Sequence, residues 1–338
     1  MRILLSGYFG FGNIGDEMIH SVIRQRLKNK DLEIVSLVKN PRNDEEIDRA
    51  NLKDVYKAIK SSDVVISGGG GLLQDKTSSK SFFYYLSIIW LAKKMGKKAV
   101  VFAQGIGPVE KNLNKKLMGR VINMADLVTV RDNNSKELLL ECDVTKQINV
   151  TADIAFLYPF EENEEKKEEY ILISFGKHTT NPPLELLGEI VNYIKEKTNQ
   201  QVLLSTLFPG RDKEIIEGVA NLTDTKIAET SSIEKTISIF SNSIFAIGTR
   251  YHSLVVSTMK QIPSLGLSYD PKVNSLAEEV SIPVLPYNSS LNLDKFKMVF
   301  DKAFTDRENT KIKLKDKFIK LKERAEENFK LLYDTILD

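Results

Sequence analysis

The sequence predicts an α/β protein built from two doubly wound parallel sheets, and two observations carry that expectation. Short apolar runs alternate with stretches of helical periodicity along most of the chain, and each run ends in a glycine-rich or charged loop. At 338 residues the chain is also too long for one ordinary core, which predicts two domains. The net charge of +2 is nearly balanced, so no global electrostatic signature of a nucleic-acid binder is present. The single cysteine, Cys142, excludes an intramolecular disulfide framework and fits a reducing compartment. The first strand enters a glycine loop after a few apolar residues, unlike a secretory signal. The longest apolar stretch, Ser81 to Ala92, is too short and interrupted to span a bilayer. A cytoplasmic protein is the expectation.

Taken in order, Arg2 to Ser6 reads as a strand, followed by Gly10-Phe11-Gly12-Asn13-Ile14-Gly15 and a helix carrying Ile19, Val22, Ile23 and Leu27. This matches the dinucleotide fingerprint G-x-G-x-x-G. The second strand, Leu32 to Val38, ends in Lys39-Asn40, where a ribose-binding carboxylate would stand, which argues against a dinucleotide. A helical stretch over Asp44 to Ile59 leads to the buried strand Asp63 to Ser67. Four glycines, Gly68 to Gly71, then permit positive φ and bare backbone beside a ligand. A helix (Phe82 to Met95), a strand (Lys98 to Phe102), Gln104-Gly105-Ile106-Gly107, and the strand Leu127 to Val130 closing on Arg131 complete residues 1–158. An acidic run between Pro159 and Glu169 reads as an exposed linker.

The alternation restarts with Tyr170 to Ser174, a helix after Pro182-Pro183, the strand Gln201 to Thr206, a helix around Asp212 to Val219 and another over Ser232 to Phe240. The run Ile244 to Ile247 then enters Gly248-Thr249-Arg250-Tyr251-His252-Ser253. A second strand, Ile262 to Leu267, ends in Tyr269-Asp270-Pro271-Lys272. Strand, tight turn and helix start present backbone N–H groups to an anion. Arg250, His252 and Lys272 gathered there suit a ligand that carries phosphate and carboxylate and needs one proton moved. Residues 170–308 thus form a second Rossmann-like domain, and two such domains facing a cleft make a glycosyltransferase-B-like architecture. The tail places Leu314, Phe318, Leu321, Ala325, Phe329 and Leu332 at helical spacing opposite Lys311, Lys313, Lys315, Lys317 and Lys320. Residues 309–338 are read as an amphipathic helix packing on the body, with peripheral attachment to the inner face of the cytoplasmic membrane as the alternative. His20 is read as structural, and no His, Cys or carboxylate cluster has metal-ligand spacing.

Gly7-Tyr8-Phe9-Gly10 through Gly15-Asp16-Glu17, Ser67 to Asp75, Ala103 to Pro108, Thr129 to Asp132, Thr151 to Asp153, Gly248 to His252 and Tyr269 to Val273 resemble, in combination, the polysaccharide pyruvyl transferase family. The resemblance runs to about residue 280. It is closest to the bacterial branch, called CsaB, that pyruvylates a secondary cell-wall polymer. It implies phosphoenolpyruvate as a donor substrate, with no cofactor expected; the lack of a ligand cluster carries the separate expectation of no metal. The implied acceptor is a lipid-linked or nucleotide-linked saccharide, with N-acetylmannosamine expected to receive a 4,6-linked ketal that surface-layer homology domains recognise. It also implies His252 as general acid, with Arg250, Lys272, Gly248 and Thr249 around the donor. Relatives carry a donor-binding arginine after the first strand of the second domain; here Lys177 or His178 stands there instead. For the acceptor, Gly12, Asn13, Asp16, Gly69, Gly70, Asp75, Gln104 and Arg131 are the candidates. Two other readings remain open: a glycosyltransferase using a sugar nucleotide, for which Glu278-Glu279 is the nearest carboxylate pair, and a non-catalytic phosphate- or sugar-binding module.

Overall fold

The computed structural model describes residues 1–28, 32–76, 78–160 and 169–337. The acidic run expected as a linker falls almost wholly outside the described residues. The chain divides into two compact units, residues 1–158 with 321–338, and residues 159–320.

In the first unit the strands are β1 (Arg2–Phe9), β2 (Glu33–Val38), β3 (Glu46–Asp48), β4 (Val64–Gly68), β5 (Lys98–Gln104), β6 (Leu127–Val130) and β7 (Asn149–Val150). They form a parallel sheet in the order β3-β2-β1-β4-β5-β6-β7, with the reversal beside β1 typical of a doubly wound fold. Its helices are α1 (Ile14–Lys28), α2 (Leu52–Ser61), α3 (Ser79–Lys94), α4 (Asn112–Ile122) and α5 (Asn133–Glu141). Ile3, Leu4, Leu5, Val64, Val65, Ile66 and Ala99 through Phe102 are all buried, as strands covered by helices on both faces require. The helix expected over Asp44 to Ile59 is split: Glu46–Asp48 instead extends the sheet by pairing with Ser36, Leu37 and Val38. Pairing with an open strand edge outweighs helical spacing over three residues. Asn51 then caps α2 by accepting from the Asp54 N–H.

The second unit has β8 (Tyr170–Ser174), β9 (Gln201–Leu204), β10 (Ser243–Gly248), β11 (Ser264–Ser268) and β12 (Val284–Pro286), a parallel sheet in the order β12-β11-β10-β8-β9. Its helices are α6 (Leu184–Thr198), α7 (Pro209–Thr223), α8 (Ile233–Ser241), α9 (Tyr251–Met259), α10 (Pro271–Glu279) and α11 (Leu293–Thr305). The final helix, α12 (Arg307–Leu337), contributes Arg307 to Lys320 to this unit and its remainder to the first. Within the first unit Asn328 is buried and accepts from the hydroxyls of Thr129 (2.7 Å) and Thr151 (2.8 Å) while donating to the Ala152 carbonyl (3.0 Å). Phe329 meets Phe102 edge to face with centroids 5.2 Å apart. A buried amide with every group answered fixes the register of α12 on the sheet. Among the described residues no helix is long and apolar enough to cross a membrane.

His20, on α1, stacks on Phe9 at 4.3 Å and pairs with the Ser36 hydroxyl at 2.8 Å. Burial first, and the Arg24 charge second, hold its imidazole down at about 4. The neutral ring is therefore favoured in the folded state, and the stability it supports is present above the unfolded value near 6.5 and lost as pH falls toward about 4. Denaturant unfolding is expected to show a loss of stability of up to a few kcal/mol between pH 7 and pH 4 that His20→Gln flattens. An unchanged pH profile in that variant would remove His20 from the account.

Candidate functional site

The carboxyl ends of the second unit's strands gather the predicted donor residues. Gly248 closes β10, Thr249 follows, and Arg250 is the N-cap residue of α9 in extended conformation. Thr249 anchors this turn to the neighbouring strand, its N–H and hydroxyl both donating to the Ser174 carbonyl at 3.1 and 3.2 Å. His252 lies in the first turn of α9 and is buried apart from a small exposed fraction, 8%. α10 starts at the equivalent place on β11: Asp270 caps it by accepting from the Lys272 N–H, and its other oxygen lies 3.1 Å from Nζ of Lys272. Two helix N-termini with positive partial charge thus stand at adjacent strand ends, each with a cation in its first turn or cap.

The residue that organises this end is Asp212, in the first turn of α7 and fully buried. Its two oxygens take Nε of Arg250 (3.0 Å) and Nη2 of the same guanidinium, the side-on fork geometry of a strong arginine–carboxylate pair. Asp212 also accepts the Lys177 backbone N–H at 2.9 Å, which ties the loop after β8 to the pair. Nη1 of Arg250 donates to the Tyr269 hydroxyl at 2.9 Å. Of the five guanidinium N–H groups these bonds engage three, which leaves one on Nη1 and one on Nη2. Burial opposes the charge on Arg250, but the Asp212 hydrogen bonds, with Tyr269 and the Asp212 charge, outweigh it and raise its pKa, so the cation is permanent. Gly176 makes the arrangement possible: a Cβ there would lie 2.7 Å from Nε of Arg250 and 2.8 Å from Oγ1 of Thr249. Tyr287, also fully buried, stacks near Phe175 and Tyr269 and has its hydroxyl pKa pushed up by burial and then by the Asp212 charge.

Lys177 and His178, the two alternatives expected at the position of a donor-binding arginine, differ in their surroundings. Nζ of Lys177 turns to Glu214 on α7, an exposed pair that lowers the Glu214 pKa. The His178 ring stacks on Tyr269 at 4.4 Å and pairs with the Thr180 hydroxyl at 2.9 Å. His178 is thereby joined to Arg250 through Tyr269, while Lys177 is joined to it through its backbone.

In the first unit the glycine loops also lie at strand carboxyl ends, but much of their polar capacity is spent internally. Glu17 accepts from the N–H groups of Gly10 (2.9 Å) and Gly12 (3.1 Å), and burial raises its pKa despite those bonds. Asn13 accepts from the Gly15 N–H at 3.2 Å. Gly70, at φ +67°, packs directly over Asp16, whose Oδ1 a Cβ would meet at 2.6 Å; Gly69 packs on Ile19 in the same way. Asp75 takes the N–H groups of Glu110 (2.8 Å) and Lys111 (3.2 Å) and the Asn114 amide (2.7 Å). Burial works against its charge, but these donors prevail and its pKa is lowered. Gln104, fully buried, donates to the carbonyl and hydroxyl of Ser67, both at 2.7 Å. Arg131 lies under Gly105 and reaches Asp153 at 3.0 Å and Asp132 at 3.5 Å. Asp75, Gln104 and Arg131 therefore shape the loops around the position predicted for an acceptor. Gly12, with nothing within 4 Å of its missing side chain, borders open space.

A cation–aromatic group at this edge was not anticipated. Tyr8 and Phe11 stack at 3.9 Å, and Arg49 lies over the rings of Phe11, Tyr84 and Tyr85 at 5.1, 4.5 and 5.0 Å. Arg49 sits just past β3, the strand that helical spacing concealed. Asp212 was also missed as a site residue. The available signal was a carboxylate in line with Ile215, Ile216 and Val219 on the buried face of α7, where an apolar residue would be expected. Among the described residues no group of three His, Cys, Asp or Glu could hold a metal ion.

Comparison with known proteins places this geometry. The sequence profile of the family described as "Polysaccharide pyruvyl transferase" matches residues 13–271. No curated protein matches the chain by sequence. Among solved structures, the S. aureus MnaA–UDP co-structure aligns with a TM-score of 0.70 at 12% identity, covering 100% of this chain and 98% of that one. UDP-GlcNAc 2-epimerase from Neisseria meningitidis bound to UDP-GlcNAc aligns at 0.67 and 10% identity, covering 99% and 100%. A glycosyltransferase from Rickettsia africae aligns at 0.62 and 14%, covering 99% and 98%. At such identities the likeness is one of fold, and that fold is glycosyltransferase-B-like.

Asp212→Ala should cost about 3–5 kcal/mol of stability, because it leaves the Arg250 charge buried without its partner. Asp212→Asn should cost less and weaken stabilisation by inorganic phosphate, measured by thermal shift. Full phosphate stabilisation in Asp212→Asn would show that Arg250 needs no such support.

Proposed function

The chain belongs to the polysaccharide pyruvyl transferase family, and from that premise we propose that it transfers the enolpyruvyl group of phosphoenolpyruvate to a saccharide, forming a 4,6-linked pyruvate ketal. The observation that carries the donor assignment is the guanidinium of Arg250, held in place by Asp212 and Tyr269 beside the N-termini of α9 and α10 with two of its five N–H groups left over. Phosphoenolpyruvate has a carboxylate and a phosphate, and Arg250 with Lys272 supplies a cation for each. Lys177 or His178 completes the donor set on this reading, with the Gly248-Thr249 turn and the α9 N-terminus beneath it.

The reaction needs one proton placed on C3 of the enol, and His252 in the first turn of α9 is assigned that role. Protonation makes C2 an oxocarbenium-like electrophile. One sugar hydroxyl attacks C2 and loses its proton, the C2–O bond to phosphate breaks, and the second hydroxyl closes the ring, its proton leaving with phosphate. Permanent charge on Arg250 favours the departing phosphate dianion without reorganisation at the moment of bond cleavage. The acceptor is assigned to the glycine loops of the first unit, with Gly12, Asn13, Asp16, Gly69 and Gly70 nearest it and Asp75, Gln104 and Arg131 as supports. Its identity on this reading is N-acetylmannosamine of a lipid-linked secondary cell-wall polymer precursor, as in the CsaB branch, and a phosphoenolpyruvate donor implies a cytoplasmic setting.

The direct test is phosphate release from phosphoenolpyruvate with and without a diphosphate-lipid analogue ending in N-acetylmannosamine. Acceptor-dependent release with a pyruvate ketal on the sugar is the expected result. Ketal on another sugar alone would overturn the acceptor, and turnover of a sugar nucleotide instead would overturn the donor. His252→Ala should lower kcat about 10²–10⁴-fold while phosphoenolpyruvate still binds. Lys272→Ala should raise the KM for phosphoenolpyruvate roughly 10–100-fold, the worth of a charge-assisted hydrogen bond, with a smaller change for acceptor. The reverse pattern would move Lys272 out of the donor site.

A further inference from the structure

The first half of α12 exposes a face that its own unit does not cover. Ile312 is 68% exposed and Ile319 47%, seven residues and nearly two turns apart, so both project from one side of the helix. Leu314, fully buried, and half-buried Phe318 point the opposite way, into the unit. Along one edge of the isoleucine crest stand Lys311 and Lys315, and along the other Lys313 and Lys320, all exposed. Asp316 is the carboxylate between the two isoleucines. Residues 307–320 hold six basic and two acidic groups, a surplus of four positive charges on a chain whose total is +2, so the rest of the chain is net negative. A charge concentrated this way is a local device and not a general property of the surface.

Beside this face lies a cavity of about 680 Å³ at the amino-terminal ends of β8, β9 and β10. Arg307 and Lys311 line it together with Lys260, Gln200 and Ser241, and Glu169 and Glu308 are also in the lining. Arg307 is oriented by its own turn, Nη1 donating to the Phe304 carbonyl at 3.0 Å with the guanidinium over the Phe304 ring at 4.6 Å. Cations, hydroxyl and amide groups in one hollow suit a phosphodiester headgroup, and Lys311 belongs to both hollow and face.

We propose that the Arg307–Lys320 segment of α12 is an interfacial docking face for an anionic phospholipid surface, with Ile312 and Ile319 entering the headgroup region between two rows of lysine. Lysines near an anionic surface each strengthen binding about fivefold, corresponding to about 1 kcal/mol, and two isoleucines add a shallow apolar anchor. Such binding is reversible and salt-sensitive. It is independent of the chemistry assigned to Arg250 and His252.

The test is sedimentation of the full chain with vesicles of phosphatidylcholine containing about a third phosphatidylglycerol, against phosphatidylcholine alone. Three proteins are compared: wild type, a Lys313→Glu/Lys315→Glu/Lys320→Glu variant and an Ile312→Ser/Ile319→Ser variant. All five positions are exposed, so thermal melting should be unchanged, and phosphate release with a soluble acceptor should be retained. Wild type should bind the anionic vesicles and lose binding as salt rises. The triple variant should bind at least about 100-fold more weakly, at fivefold or more per lysine, and the double variant several-fold more weakly. Equal binding to neutral vesicles, no binding at low salt, or variants that bind like wild type would each overturn the proposal. Lost phosphate release in the wild type would instead count against the proposed reaction.

Discussion

The second unit's candidate site rests on one carboxylate. Asp212 is fully buried, and a charge there is tolerable because Arg250, the Lys177 N–H and the Thr206 hydroxyl take its oxygens. From that anchor the arrangement follows outward. Arg250 is held by Asp212, Tyr269 steadies it from the end of β11, and His178 rests on Tyr269. Three connections, after β8, β10 and β11, are thereby locked to one guanidinium. An arginine alone would lose considerable rotamer freedom on binding an anion; here that loss is already met in the folded state. The buried pair is better explained by this placement than by stability, since an apolar pair of similar volume would be at least as stable.

The first unit uses charge the other way. Glu17 fastens the Gly10–Gly12 loop, Asp75 fastens the start of α4 through Glu110, Lys111 and Asn114, and Arg131 fastens Asp132 and Asp153 beneath Gly105. Each of these side chains spends its hydrogen-bonding capacity on backbone or on another loop residue. The result is a set of loops with fixed shape and with glycine at the surface they present. A sugar ring is recognised by shape and by many weak hydrogen bonds, for which rigid loops serve better than strong charges. An anionic donor gains more from a held cation.

The sequence made the architecture legible because parallel strands covered on both faces are short continuous apolar runs, and nine of the twelve strands were such runs or close to them. The exceptions are instructive. Glu46–Asp48 has no apolar character beyond Ile47 and becomes a strand through its pairing with β2; Val284–Pro286 and Asn149–Val150 are edge strands of two or three residues. The cations of the site were legible from strand-turn-helix context and from the family motif. Their partners were not, since Asp212 lies 38 residues before Arg250 and its helix position alone marks it as a buried surface carboxylate gone inward. Arg49 was hidden with the strand it follows. Hydrogen-bond partners distant in sequence become visible only when the strand ends are brought together.

That pattern explains why the same sequence signal, a glycine-rich loop after a strand, means different things in the two units. Gly176 and Gly70 are both required by a side chain packed where Cβ would stand, Arg250 in one case and Asp16 in the other. Glycine counts therefore identify where backbone and side chain come close, while the identity of the packed group decides what the loop can hold. Under Gly176 the group is a cation, suited to a carboxylate or phosphate. Under Gly70 it is a carboxylate, suited to hydroxyl donors. The groups packed beneath these two glycines thus differ in sign between the two units.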